Sequence, residues 1–182
     1  DTKHIRALVK LWRMRFGLRL RLQRCQQVSS AWFKETPDMW VLSLQQRLKI
    51  PDIRNAAAHC AAEIETSIEK EGLTASGPWT FISWNLPRDS KTLFDWRICR
   101  PVVKPDLYRG KIPLLHLEPI MVAARTHLGS LRTLFTQGYA PLVHEIQMSR
   151  HEFSGESREV YHDWRGPGAG YQRIEIQFGL SR

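Results

Sequence analysis

The sequence predicts an α+β fold in which a β-α-β-β unit occurs twice. The first observation is the order of hydrophobic patterns, since each helical stripe of apolar residues is followed by two segments of alternating apolar and polar residues. The second is a local similarity between the halves: SGPWTFISW (76–84) is similar to SGESREVYHDW (154–164), and WRICRPV (96–102) is similar to IEIQFGL (174–180). An internal duplication of this kind favours a single domain with pseudo-twofold symmetry.

Alternating patterns predict the strands of both halves. In the first half these are 18–23, resuming over 27–33, then 77–84 and 92–102. In the second half they are 113–127, with an irregularity at Pro119, then 157–164 and 171–180. The Gly-rich stretch RGPGAG lies between two predicted strands, so it is expected to be a hairpin loop and not a phosphate-binding turn.

Helical periodicity predicts one helix in each half. Residues 52–73 carry a stripe of small apolar residues, with Asp52 as a candidate cap and Gly72 as the stop signal. Residues 141–153 are the second predicted helix, and 130–140 are interpreted as a turn-bearing approach to it. Each helix is therefore expected to precede a pair of strands.

The predicted organisation is a basic amphipathic N-terminal segment over 1–17, followed by one domain over 18–182. The halves of that domain are 18–103 and 112–181. Residues 37–51 have turn residues at both ends and an apolar middle, and the pattern gives them no assignment.

Positive charge is concentrated near the N-terminus. The chain has a net charge of +9, and residues 2–34 hold nine Lys and Arg and no Asp or Glu. Residues 4–16 have apolar side chains at helical spacing, which indicates a basic amphipathic helix. A solvated basic face is one interpretation and a phosphate-contacting arm is the other, although no nucleic-acid-binding motif accompanies it. The segment leads us to expect a protein partner or weak, nonspecific contacts with nucleic acid.

Cysteine and apolar patterns predict a cytoplasmic protein without membrane contact. Cys25, Cys60 and Cys99 are widely spaced and form no CxxC pair, so they are expected to be free thiols. The seven His residues do not cluster, and neither a metal nor a cofactor is expected. No secretory signal is visible, and no apolar run approaches the roughly 20 residues that cross a bilayer.

Four stretches of the sequence carry a resemblance to a known family. VAARTHLGSL (122–131) resembles a strand that ends in a His-x-Gly turn, and SREVYHDW (157–164) resembles an R-E-x-Y strand. DWRICRPV (95–102) and RIEIQFGL (173–180) resemble the last strands of the two halves. Together they resemble the GyrI-like, or effector-binding, superfamily, which includes gyrase-inhibitory proteins and the drug-binding domains of MerR-type and AraC-type regulators. The resemblance is clearest over 112–180.

The resemblance implies a small-molecule site. In that superfamily two βαββ halves form antiparallel sheets with a groove between them and helices behind. The groove binds aromatic, often cationic, molecules and has a carboxylate at its base. The matching residue is Glu175, with Gln177 beside it, while Ile174, Ile176 and Phe178 would pack against the helices.

Further site residues follow from the same resemblance. Aromatic residues on the strands that would line the groove include Trp32, Trp84, Trp96 and Tyr161. Arg97 is the counterpart of Glu175 in the first half, so it would either form an ion pair with Glu175 or bind a carboxylated or phenolic ligand. Glu159 is a second candidate carboxylate, although it also suits an exposed or salt-bridged position on a strand.

Three function classes remain open at this point. The first is a small-molecule-binding or effector-sensing module of a transcription regulator. The second is a hydrolase of strained electrophiles, in which Glu175 or Glu159 would activate water with Tyr161 or Trp96 as partner. No Ser-His-Asp or Cys-His pattern offers another nucleophile. The third is a module that binds a protein partner.

Overall fold

The computed structural model describes residues 31–87, 89–164 and 170–181. The predicted helix at 4–16, the predicted strand at 18–23 and Cys25 lie outside the described residues.

Within the described residues, eight antiparallel strands form one sheet. Their bounds are β1 Trp32–Glu35, β2 Met39–Leu48, β3 Trp79–Trp84, β4 Phe94–Val102, β5 Leu114–Leu117, β6 Met121–Gly129, β7 Glu152–Tyr161 and β8 Gln172–Ser181. In space the order is β1-β6-β8-β7-β3-β4-β2-β5. Together with the two helices described below, these strands confirm the predicted α+β class.

The strand order has the predicted pseudo-twofold symmetry. The central pair is β3 and β7, with β4 and β8 beside them, β2 and β6 next, and β5 and β1 at the edges. The similar stretches of the two halves align Phe81 with Glu159, and these two residues lie directly opposite each other in the central pair. The edge strands are exchanged, because β1 pairs with β6 of the second half and β5 pairs with β2 of the first.

Helix α1 spans Ile53–Glu71, as the sequence predicts, and ends at Gly72 with a left-handed φ of 64°. Asp52 does not cap it through its side chain. Its carboxylate instead accepts a hydrogen bond from the backbone N–H of Lys49 at 3.3 Å, in a short 3-10 turn that leads into the helix.

The second helical region differs from its prediction. It begins with a 3-10 turn at Leu131–Thr133, continues as a π-helix over Leu134–Tyr139, and ends as helix α2 over Ala140–Met148. Residues 152 and 153, which were predicted as helix, belong to β7. Gly138 indicated a turn in the sequence, but it serves close packing, since a Cβ there would lie 2.4 Å from Cδ1 of Ile176.

Strand β2 occupies the stretch that received no assignment from the sequence. Val41, Leu42 and Ser43 are all buried in succession, so both faces of the strand are covered and the polar alternation disappears. The predicted strand over 113–127 is divided into β5 and β6 at the irregularity around Pro119.

Both helices pack on the same face of the sheet. Ile64 of α1 and Ile146 of α2 belong to one buried cluster with Ile98 of β4 and Ile176 of β8. Helix α1 packs mainly over β2 and β4, and the second helical region packs mainly over β6. The central β3–β7 pair therefore lies beneath the gap between them.

Candidate functional site

Glu159 lies at the centre of the helix-bearing face. On β7 it is flanked by Phe81 of β3 and Ile176 of β8, both of which belong to the buried core on that face. The Glu159 side chain is half-buried, so it keeps some access to solvent. Its position on the pseudo-twofold axis places the carboxylate beneath the gap between the two helical regions.

Two tyrosine hydroxyls hold the Glu159 carboxylate. The Tyr139 hydroxyl donates to Oε1 at 2.5 Å, and the Tyr161 hydroxyl donates to Oε2 at 2.5 Å. Tyr139 ends the π-helix, whereas Tyr161 lies two residues further along β7. Among the described residues, no Lys, Arg or His forms an ion pair with Glu159.

The environment shifts the pKa of all three groups. Burial raises the pKa of the Glu159 carboxyl, and the two tyrosine hydrogen bonds oppose that rise only in part. Burial, together with the negative charge of Glu159, raises the pKa of Tyr139 and Tyr161 well above the usual value. Both hydroxyls therefore remain protonated donors at physiological pH.

Aromatic rings surround the carboxylate and its two tyrosines. Phe81 packs against Tyr161 with ring centres 4.7 Å apart and against Trp96 at 5.2 Å. Trp164 contacts Tyr161 edge-on at 5.0 Å. On the other side, Tyr139 contacts Phe178 at 5.6 Å and Phe135 at 5.1 Å. The site thus combines one acidic group with several ring faces and edges.

Glu175 lies on the opposite face of the sheet and already has a cationic partner. Lys34 of β1 places its Nζ 2.5 Å from Oε1 of Glu175, and Gln177 Nε2 donates to the same oxygen at 2.6 Å. The His162 ring is 3.6 Å away. Burial raises the pKa of Glu175, but the hydrogen bonds from Lys34 and Gln177 outweigh it and leave that pKa below its ordinary value.

Comparison with known proteins found similarity only at the level of structure. No protein-family model matches the sequence, and no curated protein matches it significantly. The C-terminal domain of EcmrR matches over 86% of this chain and 99% of that domain, with 19% identity and a TM-score of 0.69. In the cryo-EM structure of the EcmrR–DNA complex, the match covers 100% of this chain at 18% identity and a TM-score of 0.68. The chain spans 65% of the EcmrR chain in that complex.

Two further solved structures have similar folds. SAV2435 bound to tetraphenylphosphonium matches over 84% of this chain and 94% of its own, with 11% identity and a TM-score of 0.60. A hydrolase from Listeria innocua matches over 84% and 92%, with 14% identity and a TM-score of 0.57. The chain has the fold of these solved structures, which is the fold that the resemblance to the GyrI-like superfamily implies. The resemblance stated from the sequence is confirmed at the level of fold.

The GyrI-like fold separates the predicted site residues into two groups. Glu159, Tyr161 and Trp96 share the helix-bearing face. The remaining members of the predicted set share the opposite face by register, and they are Glu175, Gln177, Arg97, Trp84 and Trp32. Ile174 and Ile176 pack in the core beneath the helices, as the sequence predicts.

The ion pair between Arg97 and Glu175, one of the two alternatives expected for Arg97, is not formed. Arg97 donates to Gln45 Oε1 and lies 5.0 Å from the centre of the Trp84 ring. Strands β4 and β8 are separated by β3 and β7, and three strand spacings amount to roughly 14 Å. Pseudo-symmetry relates the two residues but does not bring them together.

Three residues of the candidate site were not predicted from the sequence: Tyr139, Phe81 and Trp164. Gly138 suggested a turn, so residues 130–140 were not expected to be helical. Tyr139 in fact lies in the π-helix, with its side chain towards the sheet. The alignment of SGPWTFISW with SGESREVYHDW pairs Phe81 with Glu159, and this was the available signal that both lie on the symmetry axis.

Neither a metal site nor a membrane span is found in the described part of the chain. Among residues 31–87, 89–164 and 170–181, no group of three or more His, Cys, Asp and Glu is arranged to hold a metal ion. The helices of these ranges are too short or too polar to cross a membrane.

Proposed function

We propose that this protein binds aromatic, positively charged small molecules at Glu159, as the effector-sensing part of a transcription regulator in the cytoplasm. One observation carries the proposal. A half-buried carboxylate among aromatic rings is hydrogen-bonded by hydroxyls alone, with no cationic partner among the described residues.

Burial of a charged group is costly. Removing an ionised carboxylate from water costs several kcal/mol unless a counter-charge compensates it. Neutral hydroxyls supply only part of that compensation, which is why the pKa of Glu159 remains raised. A lipophilic cation would supply the missing charge and would also contact the surrounding rings, each worth about 0.5–2 kcal/mol as a cation–π interaction.

The comparisons support this proposal. SAV2435, which has a similar fold, was solved with tetraphenylphosphonium, an aromatic cation. EcmrR, whose C-terminal domain matches this chain, was solved in complex with DNA. We assign the ligand to Glu159 and not to Glu175 because Lys34 already neutralises Glu175.

The test is a calorimetric titration with tetraphenylphosphonium. Glu159→Gln should weaken binding by about tenfold to a hundredfold, the range for a charged partner lost from a partly buried site. Glu175→Gln is the matched control, since it removes the same charge from the other face of the sheet and should leave affinity unchanged. Tetraphenylborate, which has the same shape and the opposite charge, should bind weakly to the wild type. Equal affinity of tetraphenylphosphonium for wild type and Glu159→Gln would refute the proposal.

A second function is favoured by the same geometry. A carboxyl of raised pKa that is hydrogen-bonded to Tyr161 has the components of a general acid–base pair. Such a pair would activate water for the hydrolysis of a strained electrophile such as an epoxide. Hydrolysis of styrene oxide by the wild type, abolished in Glu159→Gln, would support this function, and absence of turnover above the uncatalysed rate would exclude it for that substrate.

A further inference from the structure

A cavity lies at the end of the central strand pair, on the far side of Tyr161 from Glu159. Its volume is about 340 Å³, which lies within the usual size range of small-molecule sites. Its lining residues are Pro78, Trp79, Arg100, Tyr161, His162 and Trp164. The carboxylate of Glu159 is not among them.

The walls of the cavity are aromatic. Trp79 and Tyr161 are directly opposite each other in the β3–β7 register, so their side chains stand side by side on the same face. Trp164 meets the Tyr161 ring at nearly a right angle, with an angle of 88° between the ring planes. A cavity lined by three aromatic side chains suits a planar aromatic group.

The cavity presents a basic group, the guanidinium of Arg100. The Arg100 guanidinium lies 5.1 Å from the centre of the Trp79 ring, and its Nη1 donates to the Gly77 carbonyl at 2.8 Å. These contacts orient the guanidinium along the cavity wall. His162 also lines the cavity, but its ring Nε2 lies 3.6 Å from Glu175 Oε2, so the basic group offered to a ligand is Arg100.

Among the described residues Arg100 forms an ion pair with one acidic side chain, which an incoming anion could replace. Glu65 of α1 places Oε1 3.2 Å from Arg100 Nε, and its side chain is 41% exposed. An ion pair with such an exposed partner contributes little to stability. Glu65 can therefore move aside into solvent at small cost. A ligand carboxylate can then make the same contact with Arg100 while the ligand ring enters the aromatic cavity.

We propose that this cavity binds an aromatic carboxylate, with its ring between Trp79, Tyr161 and Trp164 and its anionic group on Arg100. The cavity is distinct from the cation site, because it presents a basic group where Glu159 presents an acidic one. Two residues are common to both sites: Tyr161 lines the cavity while its hydroxyl binds Glu159, and Trp164 lines the cavity while it contacts the Tyr161 ring. The inference does not depend on a cation being the ligand of Glu159.

The experiment compares 2-naphthoate with the neutral 2-naphthamide by calorimetry. Naphthoate should bind the wild type more tightly than naphthamide, and Arg100→Gln should remove that preference, with a loss of about tenfold for naphthoate. Glu65→Gln should have the opposite effect and raise naphthoate affinity several-fold, because it removes the competing carboxylate.

The Glu65→Gln variant keeps the test decisive if Arg100→Gln does not fold. Equal binding of naphthoate and naphthamide to the wild type, or no binding of either at millimolar concentration, would overturn the inference. So would a Glu65→Gln affinity no higher than that of the wild type. If the wild type binds naphthoate as expected but does not bind tetraphenylphosphonium, only the function proposed for Glu159 is contradicted.

Discussion

Glu159 and Glu175 should respond to the same substitution with opposite changes in stability. Glu175→Gln keeps the shape of the side chain but removes a charge that lies 2.5 Å from Lys34 Nζ. A hydrogen bond to a charged group contributes about 1.5–3 kcal/mol. Because the Lys34 side chain is 33% exposed, solvent screens the pair, and we expect a loss of about 1–2 kcal/mol.

Glu159→Gln should instead stabilise the protein at neutral and alkaline pH. Its carboxylate has no cationic partner among the described residues, and its raised pKa means that the folded protein disfavours the ionised form. The amide removes that penalty and can still accept a hydrogen bond from a tyrosine hydroxyl. Glu159→Gln is therefore expected to raise the free energy of unfolding.

Thermal unfolding at several pH values measures both effects. For a chain of this length, 1 kcal/mol changes Tm by about 2–4 °C, so Glu175→Gln should lower Tm at pH 7 by about 2–8 °C. The pKa of Glu175 is lowered by folding, so its stabilisation exists above the unfolded pKa and is lost as the pH falls through the folded one. The pKa of Glu159 is raised, so its penalty exists above the folded pKa and disappears on acidification. Both differences from wild type should therefore shrink in acid. Equal destabilisation by the two variants at pH 7, or differences that do not change with pH, would refute this reasoning.

Three other expectations can be checked independently. Tyr161→Phe removes a hydrogen bond that lowers the pKa of Glu159, so the pH midpoint of tetraphenylphosphonium binding should move upward, as titrations at several pH values would show. Gly138→Ala should lower the free energy of unfolding by about 1–3 kcal/mol in denaturant unfolding, although alanine has the better helix propensity. Adding Ile176→Val removes the Cδ1 atom that lies 2.4 Å from the new Cβ, and it should restore most of the lost stability. The buried thiol of Cys99, whose pKa burial raises to about 12, should be alkylated by iodoacetamide only after denaturation, which peptide mass spectrometry detects.

The elements with one clear periodicity could be predicted from the sequence. Helix α1 has a stripe of small residues and a glycine stop, and β8 alternates strictly around Glu175. Strand β2 could not be predicted because its middle is buried on both faces. The π-helix could not be predicted because a glycine in a sequence usually indicates a turn. Gly138 is instead required by the close approach of the helix to Ile176.

The candidate site was predictable only in part. Alternation shows that Glu159 and Glu175 each point to one face of a strand, but it does not show which face carries the gap between the helices. That depends on the register that sets Phe81 opposite Glu159. The neutralisation of Glu175 depends on Lys34, which lies far away in sequence and reaches β8 only through the pairing of β1 with β6 and of β6 with β8.

The exchange of edge strands has a consequence for synthesis on the ribosome. When the first half has emerged, the outer edge of β2 is still unpaired, because its partner β5 begins only at Leu114. Strand β1 remains unpaired for longer, because its partner β6 runs from Met121 to Gly129 and is synthesised later. An unpaired edge can capture another nascent chain, and two chains translated side by side on one message could satisfy each other's edges. Slow translation between the halves should therefore favour intertwined dimers over correctly folded monomers.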